Sequence, residues 1–173
     1  MSGVVCDKIL KAARRIIADS RTCVAVTLAQ NGYPNARVLQ TSAASDDWSI
    51  QFLTDARSRK AKELTLNPHL TLVYQVPASG EYAALSGPVE LSADASVKAA
   101  LWRPESLRWH PGGPADPNVL LARFRTERIE IWSSPEGLIP DLVKGLWAVS
   151  LTRDRGSWRV HTTMDESQLG PTR

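Results

Sequence analysis

The sequence predicts a mainly β chain with inserted helices, arranged as an antiparallel barrel. Roughly seven short runs rich in β-branched and aromatic residues are joined mostly by tight turns, the rhythm of a barrel or sandwich. Two or three amphipathic helical stretches fall between these runs without the regular strand-helix alternation of a parallel sheet. No GxGxxG and no P-loop occurs, so neither common nucleotide-binding α/β architecture is supported. The 173 residues suit one compact domain with a real core. A single domain is expected over 1–164, followed by a C-terminal tail at 165–173.

The first element is a helix from Val5 to Ala18. Val5, Ile9, Ala13, Ile16 and Ile17 recur at helical spacing, with Lys8, Lys11, Arg14 and Arg15 on the other face. From Arg21 to Leu28, Val24, Val26 and Leu28 alternate with Cys23, Ala25 and Thr27, giving a strand with two distinct faces. Asn31-Gly32 marks a hairpin, because both residues tolerate positive φ. The returning strand, Asn35 to Ser42, carries Arg37 on the face of Leu39 and Thr41. That arginine either snorkels at an edge or aims at a charged partner. Asp46-Asp47 makes a further turn into a third strand, Trp48 to Thr54.

After a short helix ended by Asn67-Pro68, His69 to Val76 and Tyr82 to Leu91 read as strands separated by the turn Pro77-Ala78-Ser79-Gly80. Gly87-Pro88 suggests a bulge or bend in the second of these. Asp94 caps a helix through about Leu101. The segment Trp102 to Asn118, dense in proline and glycine, is an ordered excursion whose tryptophans, Trp102 and Trp109, are expected to be buried. Leu120 to Trp132 returns as a strand, and Ser133 to Lys144 is irregular. Leu146 to Leu151 and Trp158 to Thr162 close the chain around the turn Asp154-Arg155-Gly156.

Composition removes several functions. Hydrophobic residues at 43% and charged residues at 23% are ordinary globular values. The net charge of +3 is spread over many segments, which does not suggest nucleic-acid binding. Cys6 and Cys23 form no CxxC, and His69, His110 and His161 show neither HxH nor HxxxH spacing, so neither a disulfide scaffold nor a metal site is expected. The first residues hold no secretory core, and no apolar run is long enough to span a bilayer; a cytoplasmic protein without a membrane or nucleic-acid partner is expected.

One stretch concentrates the chemistry, Phe52-Leu53-Thr54-Asp55-Ala56-Arg57-Ser58-Arg59-Lys60-Ala61-Lys62-Glu63-Leu64. Asp55 and Ser58 can each cap the helix, their oxygens accepting from amides that lack a carbonyl partner in the first turn. Arg57, Arg59, Lys60 and Lys62 crowd that same end, where the helix dipole is already positive and acids are preferred. An anion among them would relieve the repulsion. The stretch is either an anion seat, with amides, hydroxyls and cations converging on a group such as a phosphate, or a solvated basic face.

The order of these parts resembles the pyridoxamine 5'-phosphate oxidase-like family of split β-barrels. The resemblance rests on Gly32-Tyr33-Pro34-Asn35-Ala36-Arg37-Val38-Leu39, on Phe52-Leu53-Thr54-Asp55 with Ser58-Arg59-Lys60-Ala61-Lys62-Glu63-Leu64, and on Asn67-Pro68. It continues through Leu85-Ser86-Gly87-Pro88-Val89-Glu90-Leu91, Glu127-Arg128-Ile129-Glu130-Ile131-Trp132 and Trp158-Arg159-Val160. It implies an antiparallel split β-barrel of the FMN-binding type, a homodimer holding FMN between protomers. Arg37, Ser58, Arg59 and Lys60 would bind the FMN phosphate with Thr54 beside it. Val38, Leu39, Gln40 and Leu53 would lie near the flavin ring, and Trp132 near the flavin of the other subunit.

Departures from the pattern narrow the activity. Ser42 stands where the oxidase itself has a substrate-binding lysine, Tyr82 where the family has glutamine, and Gly137-Leu138-Ile139-Pro140-Asp141-Leu142-Val143-Lys144 where the oxidase has Arg-x-His. A substrate phosphate would lack its cations. The resemblance therefore implies an FMN-dependent oxidoreductase acting on another small molecule, its chemistry residing in the flavin. The alternatives are a non-catalytic flavin-binding or stress-related protein, or the deazaflavin F420 or heme in place of FMN. No catalytic residue is singled out.

Overall fold

The computed structural model describes residues 2–20, 22–139 and 149–161. The fold is mostly β, 43% strand and 25% helix, with an antiparallel sheet that does not close. This is the split-barrel class expected from the sequence. Two compact units divide the chain, one of residues 1–21, 73–85 and 127–173, the other of residues 22–72 and 86–126.

The first unit holds α1 (Ser2–Asp19), β7 (Arg128–Trp132), β8 (Val149–Asp154) and β9 (Ser157–His161). It also takes the end of β4 (His69–Val76) and the start of β5 (Glu81–Ser92), in the strand order β4-β5-β7-β8-β9. α1 buries Ile9, Ala12, Ala13, Ile16 and Ile17 and packs on β7 and β9. Val5, expected in that stripe, is 40% exposed, because it lies a full turn before the packed stretch. The helix is pinned by charge as well. Arg15 donates to both oxygens of Glu81, at 3.2 and 2.5 Å, and the hydroxyls of Ser79 and Ser133 donate to the same carboxylate. The Arg15 hydrogen bonds, then that of Ser133, hold the buried Glu81 carboxyl down to about 2.

The second unit holds β1 (Cys23–Leu28), β2 (Pro34–Leu39), β3 (Ser49–Asp55), α2 (Arg59–Leu66), α3 (Ala95–Leu101) and β6 (Val119–Arg125). With parts of β4 and β5, its strand order is β2-β1-β4-β5-β6-β3. The β1-β2 hairpin pairs Ala25 with Arg37 and Thr27 with Asn35. Cys23, Ala25 and Thr27 form its buried face, and Leu64 and Ala61 of α2 are buried where that helix meets β1.

Among the described residues nine strands form, where roughly seven were expected for the chain. The stretch from Leu120 to Trp132 is two strands, broken at Thr126-Glu127. Phe124 and Thr126 point inward, and then Ile129 and Ile131 do; the inward parity switches, which an unbroken strand cannot do. Gly87-Pro88, where a bulge or bend is expected, lies inside β5. β5 runs through it because Leu85, Gly87 and Val89 keep the inward parity and Pro88 falls on the other face. Trp109 is 69% exposed, contrary to expectation. The excursion is anchored by polar contacts instead: Lys98 Nζ donates to Asp116 O at 2.9 Å and Ala56 N to Asn118 O at 2.7 Å. The Trp109 ring lies under the Arg108 guanidinium, 5.3 Å away. The expected strand at Leu146–Leu151 is seen from Val149. Residues 140–144 and 146–148, Thr162 and the tail at 165–173 lie outside the described residues.

Replacing Glu81 with Gln removes a buried carboxylate's charge from its part-exposed partner Arg15 and should cost about 2 kcal/mol at pH 7, read from urea unfolding. The folded carboxyl titrates near 2 against an ordinary 4.5, so its contribution is complete above the unfolded value and disappears as pH falls from 4.5 toward 2. Native and variant stabilities should converge across that window. A gap that persists to its acid end would show that packing, not charge, is what Glu81 supplies.

Candidate functional site

The start of α2 is where the sequence placed a possible anion seat, and the structure separates its residues into distinct roles. Ser58 is the N-cap, with extended backbone and its Oγ accepting from Ala61 N at 3.2 Å. Thr54, at the end of β3 and buried, has its hydroxyl 3.3 Å from Ser58 Oγ. Asp55 does not cap the helix. It accepts from Arg57 N, Nε and Nη2 at 2.7, 3.0 and 2.6 Å. The Arg57 side chain, then its backbone amide, draw the Asp55 carboxyl down to about 2. Arg57 is thereby committed to its neighbour.

Arg37 aims at a charged partner, which resolves its two readings. Its Nη2 donates to Glu63 Oε2 at 2.9 Å, while Nη1 donates to Thr27 Oγ1 and reaches Ala25 O at 3.5 Å. Glu63 is 6% exposed and collects further donors: Thr27 Oγ1, and Asn35 Nδ2 at 2.6 Å. Arg59 Nε lies 3.6 Å from its other oxygen, an i,i+4 contact from an arginine whose side chain is 67% exposed. Burial alone would raise the Glu63 carboxyl; the hydrogen bonds from Thr27, Asn35 and Arg37 outweigh it and hold the group below its ordinary value.

Lys60 is different. Its Nζ stands 5.3 Å from the centre of the Phe52 ring, and among the described residues it forms no ion pair. Burial first, and the Arg37 charge second, push the Lys60 ammonium below its usual range. A half-buried cation that is disfavoured where it stands gains most from an arriving anion. His110, from the excursion after α3, shares this field. Burial lowers it, with Asp55 and Asp116 opposing and Lys60 reinforcing the shift, and its ring is 6.3 Å from that of Trp102.

Around this group, Val38 and Gln40 are exposed and Leu39 and Leu53 half-buried. Cys23 Sγ donates to Leu39 O at 3.7 Å. Trp132 belongs to the other unit, half-buried in β7, its ring 3.9 Å from where a Cβ on Gly80 would lie. Glu63, Thr27 and Asn35 carried no role in the sequence reading. The i,i+4 spacing of Arg59 and Glu63 was a usable signal for one contact; the other two residues come from the hairpin register and had none. Among the described residues no cluster of His, Cys, Asp and Glu could hold a metal ion.

The comparisons agree with this architecture. A chain from Clostridium acetobutylicum, described as related to general stress protein 26 of Bacillus subtilis and as of the pyridoxinephosphate oxidase family, superposes with a TM-score of 0.65. It is 22% identical, over 73% of this chain and 89% of that one. A pyridoxamine 5'-phosphate oxidase-related, FMN binding protein from Nostoc punctiforme superposes with a TM-score of 0.66, at 18% identity over 94% and 96% of the two chains. In sequence, a pyridoxine/pyridoxamine 5'-phosphate oxidase of Anaeromyxobacter dehalogenans is 30% identical over 93 residues, 54% of this chain and 46% of that enzyme. The match thus spans about half the length of that curated relative. The sequence model described as pyridoxamine 5'-phosphate oxidase like matches residues 8–153. The strand order, the Ser58-capped helix and this match over most of the chain lead to one conclusion: the protein belongs to the pyridoxamine 5'-phosphate oxidase-like family.

Proposed function

We propose that this protein is an FMN-binding oxidoreductase whose small-molecule substrate is not pyridoxamine phosphate. The observation that carries the reading is Lys60, a half-buried cation with no ion pair among the described residues, beside a serine-capped helix start with no acid in its first turn. The donor set fits a phosphate. Lys60 and Arg59 would supply charge, the hydroxyls of Ser58 and Thr54 hydrogen bonds, and Arg37 its charge, with its two terminal nitrogens held by Glu63, Thr27 and Ala25. Val38, Leu39, Gln40 and Leu53 would border the ring, with Trp132 as an aromatic neighbour contributed by a partner subunit. Bound FMN would supply the hydride or electron transfer, and the chain its hold and orientation.

The substrate reading rests on residues already engaged elsewhere. Ser42, at the position of the oxidase's substrate lysine, donates to Ala43 O and accepts from Gln51 N, both at 2.9 Å. Tyr82, in place of glutamine, donates to Glu130 at 3.3 Å. F420 fits less well than FMN. Its acidic tail asks for additional cations, and Arg15, on the basic face of α1, is committed to Glu81. No helix among the described residues is long and apolar enough to cross a membrane.

Homodimerisation belongs to the same proposal and has its own support. On the outer face of the β1-β2 hairpin, Val24 pairs with Val38, Val26 with Ala36 and Leu28 with Pro34. Val24, Leu28 and Val38 are 38, 42 and 67% exposed, an apolar strip of the kind that a second copy of the chain covers. Arg37 lies on the opposite face of the same strand, so covering the strip leaves its contact with Glu63 intact.

Two measurements test these readings. FMN titrated into the protein should bind far more tightly than riboflavin, which lacks the phosphate. Lys60→Ala should weaken FMN by about tenfold or more while leaving riboflavin unchanged, and Arg57→Ala should change neither by more than about twofold. Equal affinities for the two flavins in the native protein would end the phosphate reading. For the strip, sedimentation should show a native dimer and a folded monomer after Val24→Glu; a native monomer at tens of micromolar would exclude the dimer.

A further inference from the structure

We propose that Glu63 is the resident counter-ion of the seat, a fixed carboxylate that stands against Arg37 and Arg59 where a ligand's phosphate would otherwise do so, and thereby limits how tightly a phosphomonoester is held. The inference rests on the phosphate reading of the seat and adds the residue that sets its affinity.

The geometry gives the reason. Glu63 is locked from three elements: β1 through Thr27, β2 through Asn35 and Arg37, and its own helix through Arg59. Among the described residues it is the carboxylate that contacts two of the three proposed phosphate-binding cations, and those cations with Glu63 leave a formal balance of +2. That balance matches a phosphomonoester dianion, as in FMN above the second phosphate ionisation near pH 6. The two arginine contacts differ in kind. Arg37 is held at 2.9 Å with its side chain 20% exposed, so it stays; Arg59, at 3.6 Å and 67% exposed, is the one free to turn from Glu63 to a ligand.

A fixed negative charge a few ångströms from an incoming dianion costs binding energy, since screening is weak at a buried site. Glu63 therefore opposes the phosphate electrostatically while it compensates the arginines in the ligand-free protein. The consequence is a seat that stays folded without its ligand and releases it readily. Phosphate occupancy then follows the concentration of free ligand.

The test compares FMN with riboflavin, so that effects on the ring cancel. Glu63→Gln keeps an acceptor for Thr27 and Asn35 and removes the charge; FMN should tighten by about tenfold relative to riboflavin. Glu63→Asp keeps the charge and should stay within about threefold of the native ratio. A ratio that is unchanged or lower in Glu63→Gln overturns the proposal. Should that variant not fold, the native chain carries the test through carbon NMR of the Glu63 carboxyl. Saturation with FMN must raise the acid titration of Glu63, facing Arg37, Arg59 and the nearby Lys60, because binding and protonation are linked reciprocally; an unmoved titration overturns it. If the native protein instead binds FMN no better than riboflavin, the phosphate reading itself fails, and the two failures are told apart.

Discussion

The Glu63 carboxylate is the interaction on which the second unit's chemistry depends. It buries a negative charge among Thr27, Asn35 and Arg37, and so ties a hairpin to the helix that follows β3. A charge removed from water without partners would be untenable; with three direct donors and a second arginine nearby it becomes a rivet. The inward face of β1 has small or polar residues for the same reason. Cys23, Ala25 and Thr27 leave room for the α2 side chains, and Thr27 links the arginine to the acid.

That arrangement decides which of the clustered cations are already paired. Arg57 is taken by Asp55, Arg37 is half taken by Glu63, and Lys60 is left facing Phe52 at a distance where the ring offers partial compensation. The polar anchoring of the excursion after α3 brings His110 into the field of Asp55 and Lys60, while its neighbour Trp109 stays in solvent. The first unit solves a similar problem with Glu81, which fastens α1 to the start of β5 through Arg15. In both units a buried acid joins elements distant in sequence.

Most of the secondary structure was legible beforehand because it follows local rules. β4 has the predicted limits, Ser58 and Asp94 cap their helices, and the turns with positive φ fall at Gly32, Gly80 and Gly156. The failures share one cause. The break at Thr126-Glu127 and the exposure of Trp109 each depend on which face is covered, and composition alone assigns no face. The alternation in β1 was evident, yet its three aliphatic residues proved to be on the less buried side.

The sequence by itself determined the fold class and the concentration of cations at a capped helix start, because turn chemistry, periodicity and capping act over a few residues. It also carried the order of motifs that marks the family. Only the tertiary structure decided which of those cations are spent and which remain available. Arg37 and Glu63 are separated by 26 positions, and Thr27 and Glu63 by 36; their meeting is set by the hairpin register and by the packing of α2 on β1. An ion pair between distant segments leaves no periodic trace, since its energy depends on a distance and a burial that exist only once the chain has folded.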